Sequence, residues 1–179
     1  MIRYFTQNKI NVSIDTFRWY LLILFCIIYI LRGVKGRNNL SSTDRATQKY
    51  TDFTETEIEV YLIGFKQLVT GGAYSIELNE NRTENVDFME DYDLTVEKAK
   101  RILLSLEVLD FCYAVDNVKP QFAHEQLYIF CKEFDLDNRG DMEKVDIYIK
   151  SNITNTRRGN RLFVVSFHKR NNPISFCFK

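Results

Sequence analysis

Glycine and proline are scarce, at 7 and 2 of 179 residues. That excludes a collagen-like array and argues against extensive disorder. The 4 cysteines, Cys26, Cys112, Cys131 and Cys177, show no CxxC spacing, and only 2 histidines, His124 and His168, are present to pair with them. A zinc site is therefore not expected, and the cysteines read as mostly buried thiols of a reducing compartment. There is no glycine-rich phosphate loop and no ligand cluster, so no metal, nucleotide or organic cofactor is implied. No repeat recurs at a period typical of solenoids or propellers. A long hydrophobic run is also lacking: the longest, WYLLILFCIIYIL from Trp19 to Leu31, has 13 residues, whereas a bilayer-spanning helix needs about 20.

That run still needs an account. Basic residues flank it almost evenly, Arg3, Lys9 and Arg18 before it and Arg32, Lys35 and Arg37 after it, so charge does not orient it. No small-x-small cleavage site follows. A short membrane anchor, an extension upstream of the real translation start and a cleaved signal core all stay open. A buried soluble helix fits worst, because no polar face remains. Residues 1–35 are read as this leader, 36–52 (GRNNLSSTDRATQKYTD) as a polar linker, and 53–179 as one domain.

The net charge is zero but unevenly spread. Residues 1–51 carry 8 Lys/Arg against 2 Asp/Glu, 52–143 carry 8 against 21, and 144–179 carry 8 against 1. A short one-signed basic block suits a polyanion, and the acidic block a basic partner, unless the charges only solvate two faces.

Hydrophobic spacing orders the domain. TETEIEVYLIGFKQLVTGG predicts a helix over 55–69, with Ile58, Tyr61, Leu62, Phe65 and Leu68 on one side. A short strand, AYSIEL, follows. DLTVEKAKRILLSL predicts a helix over 95–105 with Thr95 as N-cap and Val96, Ala99, Ile102 and Leu103 inward. After VLDFCYAV come three strands, at about 126–134, 144–153 and 161–169, joined by turn-rich DLDNRGDMEK and TNTRRGN. The fold class is α+β: two helices packed on a curved antiparallel sheet, preceded by the short hydrophobic segment.

Strand parity then sorts side chains. Leu127, Ile129, Cys131, Ile147, Ile149, Phe163, Val165 and Phe167 form an apolar set expected to face the helices. Tyr128, Phe130, Lys132, Asp146, Tyr148, Lys150, Val164, Ser166 and His168 form the other set. Centring the turns on Gly140 and Arg157 sets Lys132 opposite Tyr148, Tyr148 opposite Ser166, and Asp146 opposite His168. The ordinary account is a wet sheet face with cross-strand pairs. The sharper one is metal-free phosphodiester cleavage: His168 and Tyr148 move protons while Lys132 and Lys150 stabilise charge on phosphate. Asp146 would orient the His168 ring. Tyr128, Phe130 and Tyr148 would stack on bases, and Arg157, Arg158, Arg161 and Lys169 would hold backbone phosphate.

The blocks TVEKAKRILLSLEVLDFCYA, LYIFCKE, DIYIKSN, LFVVSFHK and NPISFCFK, in that order, resemble the MqsR-type toxin family of bacterial and archaeal toxin–antitoxin pairs. The resemblance spans about residues 55–179. It implies a RelE-like fold and a type II toxin that cleaves mRNA as an endoribonuclease without a metal, held inactive by a cognate antitoxin in the cytoplasm. Tyr148 of IYIK takes the place of the family's catalytic tyrosine, and His168 that of the lysine after SF in the best-studied branch. That branch also has a lysine after the DF dipeptide, where Cys112 and Tyr113 stand here, and a glutamine near Ile129. The competing readings are a non-catalytic RNA- or protein-binding module of the same fold, and a membrane-tethered interaction protein anchored through residues 17–34.

Overall fold

The computed structural model describes residues 48–179; the run Trp19–Leu31, the leader and most of the linker lie outside them. The domain is α+β, with three α-helices and a five-stranded mixed sheet. Helix α1, Glu55–Thr70, begins in a capping box: the Thr54 hydroxyl accepts from the Glu57 amide, and the Glu57 carboxylate accepts from the Thr54 amide at 2.8 Å. It ends at Gly71, and Gly72 takes a φ of 73°, a left-handed angle that glycine adopts without strain. Its buried stripe is Ile58, Tyr61, Leu62, Phe65 and Val69, so Val69 rather than Leu68 closes it. Strand β1, Tyr74–Ile76, leads to α2, Thr83–Asp91, and α3, Val96–Leu104. Thr95 caps α3 as expected, while Val96 is exposed.

Strands β2 (Phe111–Asp116), β3 (Gln126–Asn138), β4 (Asp141–Thr156) and β5 (Gly159–Lys169) complete the sheet in the order β1-β5-β4-β3-β2. The β3-β4-β5 meander is antiparallel as expected. Two features correct the expectation. The sheet is mixed, because β1 adds parallel to β5. A third helix, α2, is also present; the sequence hid it because its buried side chains are only Asn85 and Phe88.

The faces also need correction. Helix α1 lies over Tyr128 and Phe130, with Tyr61 stacked on Tyr128 at 4.0 Å between ring centroids. Ile147 and Ile149 share that side as expected, but on β3 the aromatic set, not Leu127, Ile129 and Cys131, faces the helices. The cause is the β3–β4 turn. Its two central residues, Arg139 and Gly140, have φ of 55° and 102°, the two-residue primed hairpin that matches strand twist. The hairpin thus folds about the bond between them, not about Gly140. Every pair slips by one, and a one-residue slip reverses a strand's face: Tyr148 stands opposite Cys131, and Lys132 opposite Ile147.

Between β4 and β5 a bulge lies between Lys150 and Ser151. Together with a two-residue turn at Arg157-Arg158, it shifts the register so that Tyr148 faces His168 and Lys150 faces Ser166. Asp146 lies opposite Glu133 instead. Of the residues expected to be buried, Ile129, Ile147, Ile149 and Phe167 are fully so, and Val165 is half-buried.

Candidate functional site on the second sheet face

The sheet face away from the helices carries an apolar cluster of Cys112, Val115, Leu127, Ile129 and Cys131. A strap of residues 170–179 returns across it. Arg170 grips Asp146 at 2.6 and 3.0 Å, Ile174 and Phe176 pack on the cluster, and the Cys177 amide donates to the Phe111 carbonyl at 3.0 Å. This face is therefore not the open wet surface that parity suggested. Burial pushes the Cys112 and Cys131 thiols up to about 12 and about 11, with Cys131 adding to the shift of Cys112 and the Asp146 carboxylate to that of Cys131, while Lys179 and Arg170 work against it. Such thiols stay protonated and inert.

The polar residues of this face gather on its β4–β5 side. The Tyr148 and His168 rings lie 5.3 Å apart between centroids, tilted by 30°. Burial raises the Tyr148 phenol well above the usual tyrosine range, and the neighbouring Tyr113 phenol adds to the shift. Tyr148 is thus neutral at physiological pH and a hydrogen-bond donor. His168 Nδ1 lies 2.9 Å from the Lys169 carbonyl oxygen, which can only accept, so Nδ1 carries a proton. Nε2 points to the Glu84 carboxylate at 3.4 Å. Lys150, largely buried beside them, has its pKa lowered by that burial and by the Arg82 guanidinium.

Helix α2 is fixed to the edge of this side by Asn85. Asn85 is almost fully buried; its amide donates to the carbonyls of Glu77 at 2.7 Å and Val165 at 3.2 Å, and its oxygen accepts from the Phe167 amide at 2.8 Å. Asn85 thereby takes the place of a missing strand neighbour on the edge of β5 beyond the end of β1. Arg82 and Glu84 are held next to His168 and Ser166, around a cavity of about 280 Å³.

Of the residues proposed from sequence, the fold brings His168, Tyr148 and Lys150 together. The others lie elsewhere. Lys132 is on the helix side, where its ammonium donates to the Ser105 carbonyl at 2.7 Å and to buried Asp110 at 3.0 Å, with Glu107 at 3.5 Å. Tyr128 and Phe130 are buried under α1. Arg157 and Arg158 form the β4–β5 turn, ten residues and roughly 33 Å of strand from His168. Arg161 donates to the Tyr74 carbonyl at 3.2 Å. Lys169 is on the helix side with Tyr92 and Glu143. Asp146 is taken by Arg170 and does not orient His168.

Sequence reasoning missed Arg82, Glu84 and Asn85, which sit in a stretch with no clear period, and Tyr113 with Lys49. The Lys49 ammonium lies 4.4 Å above the Tyr113 ring, and Tyr50 pairs with Ala114 through both backbone bonds. The end of the expected linker is therefore part of the domain. Among the described residues no group of His, Cys, Asp and Glu is arranged to hold a metal, and no helix is long and apolar enough to cross a membrane.

Compared with known proteins, the chain matches no family model, no curated protein and no solved structure.

Proposed function

We propose that this protein is a metal-independent endoribonuclease of RelE-like fold, the MqsR-type toxin of a toxin–antitoxin pair acting on mRNA in the cytoplasm. The observation that carries the reading is the juxtaposition of Tyr148 and His168, directly opposed on β4 and β5 with rings 5.3 Å apart, with Lys150 next along the same face. RNA cleavage needs a base for the 2′-hydroxyl, an acid for the departing 5′-oxygen and positive charge for the phosphate. His168 Nε2, with Nδ1 tied to a carbonyl, takes the 2′-proton. The 2′-oxygen then attacks phosphorus, the P–O5′ bond breaks, and the neutral Tyr148 phenol protonates the 5′-oxygen, leaving a 2′,3′-cyclic phosphate. Lys150 offsets the charge that develops on the phosphate. Lys49 over Tyr113 supplies a cation near the position where the best-studied branch of the resembled family has a lysine.

The second reading, a non-catalytic RNA- or protein-binding module, is favoured by two observations: Glu84 faces His168 Nε2, and Tyr148 packs on the same apolar cluster that the strap residues Ile174 and Phe176 cover. Induced expression of the full chain separates the two, scored by growth arrest and mRNA integrity. Arrest with mRNA fragmentation, relieved by His168→Ala and by a small protein encoded beside it, supports the toxin. Arrest without fragmentation, or none, favours the module.

A further inference from the structure

The Ser166 hydroxyl and the Arg82 guanidinium line one cavity, and the Lys150 ammonium lies within electrostatic reach of Arg82 beside it. Ser166 is only 8% exposed and lines the cavity of about 280 Å³ together with Arg82 and His168. Lys150 stands directly opposite Ser166 on the same face. Two neighbouring cations without a counter-charge cost stability, and the Ser166 hydroxyl, since no fully buried side-chain oxygen among the described residues is left unpaired, opens onto the cavity. Burial and, after it, the Arg82 guanidinium disfavour the charged form of Lys150, and no carboxylate offsets them. The one acid on the cavity wall, Glu84, is already engaged by His168 at 3.4 Å and by the Asn171 amide at 2.8 Å. The first turn of α2 also forms part of the wall, and no side chain caps it.

We infer that Ser166, Lys150 and Arg82 form a seat for a phosphate group, completed only when the ligand binds. Two cations and a hydroxyl match a tetrahedral oxyanion with several acceptors better than a planar carboxylate. Ser166 and His168 are two residues apart on one strand face, roughly 7 Å, a separation comparable to that of successive phosphates on an extended strand. This deepens the ribonuclease reading and rests on it for the source of the ligand: the seat holds the phosphate next to the one cleaved, with Lys150 shared between the two. Glu84, at the boundary between seat and base, weakens the seat by repulsion until the strand arrives.

The test uses the full chain, isotope-labelled, titrated with inorganic phosphate and separately with acetate at constant ionic strength while amide resonances are followed. Phosphate should shift Arg82, Ser166 and His168 saturably, and acetate should not. Arg82→Gln and Lys150→Met should each raise the phosphate dissociation constant about tenfold, the effect of one lost charge-assisted hydrogen bond, while Glu84→Gln should lower it. Shifts that are equal with acetate, spread over all basic residues or unchanged in both variants overturn the seat. A short single-stranded oligodeoxynucleotide, which lacks the 2′-hydroxyl and cannot be cut, should displace phosphate; failure to do so overturns the assignment of the seat to a nucleic acid strand. Phosphate binding as expected in a protein that cuts no RNA overturns the ribonuclease reading alone. Cleavage that Arg82→Gln leaves intact, without phosphate shifts, overturns the seat alone.

Discussion

Ile129 and Phe130 are neighbours in sequence, both completely buried, and on opposite faces of the same sheet. Around Phe130 the cover is helical and aromatic: Tyr61, Phe65 and Phe111 lie with ring centroids 5.5 to 6.5 Å away. Around Ile129 the cover is the strap, which packs on the sheet mainly through Ile174 and Phe176. The helix side is closed around Phe130, Ile147, Ile149 and Phe167 and opens toward Lys169. The strap side is apolar toward β2 and β3 but gives way to Tyr148, Lys150, Ser166 and His168 toward β5. One face therefore holds the fold together, and the thinner cover of the other leaves room for polar groups to meet a ligand.

That comparison fails if the helix face is not the energetic centre. Phe130→Ala should cost about 3–5 kcal/mol, the usual loss for a fully buried aromatic ring, read from the urea midpoint. A loss below about 1 kcal/mol would mean that the two faces are equivalent. On the other face the expected effect is kinetic. His168→Ala should slow RNA cleavage about 100-fold or more, the contribution of a positioned acid or base. The same change should shift stability by no more than about 1 kcal/mol. Cleavage within a factor of three of the unmodified protein would make His168 a strand terminus packed on Tyr148 and nothing more.

Which face is which could not be read from composition. The periodicity of α1, the Thr95 cap of α3 and the three long strands were legible because each depends on local spacing. The relative register of the strands depends on whether a turn closes about a residue or about a bond. Arg139, an ordinary residue in a left-handed conformation, gave no warning of the second case. Tyr148, Lys150 and His168 were found together because the β4–β5 register error was two residues, which preserves face. Lys132 was misplaced because the β3–β4 error was one. Arg82 and Glu84 depend on Asn85 bonding to a strand edge 80 residues away, a tertiary fact with no local signal.

The two lysines sharpen the comparison, since they lie on adjacent strands and opposite faces. Lys132→Met removes a charge partner from buried Asp110, leaving it Lys179 at 3.5 Å and the Glu107 amide at 2.9 Å. It should cost about 1–3 kcal/mol and leave cleavage within a factor of three. Lys150→Met removes a desolvated cation facing Arg82 and should be close to neutral for stability, while cleavage falls about tenfold. The reverse pattern, with activity following Lys132, would return the chemistry to the helix side and overturn the assignment of faces.

The smallest effect concerns the apolar part of the strap face and appears only in alkali. Cys112 and Cys131 carry thiols raised from 9.0 to about 12 and about 11 by burial. A thiol in the unfolded chain ionises near 9, so above that pH the folded state holds protons that the unfolded state has released. Stability from this source is complete below pH 9 and falls as pH rises through 9 toward 11 and 12. Denaturation midpoints should therefore decline between pH 9 and 10.5. Cys131→Ala should flatten part of that decline while lowering stability slightly at pH 7, because its Sγ fills space in the cluster. Tyr148 also favours folding in its neutral form, so Tyr148→Phe serves as the control: its contribution should begin only above pH 10, the ordinary phenol value. A midpoint that is flat from pH 8 to 10.5 would mean that water reaches both thiols beneath the strap. The strap would then be a loose cover over the whole second face, not a seal over its β2–β3 half.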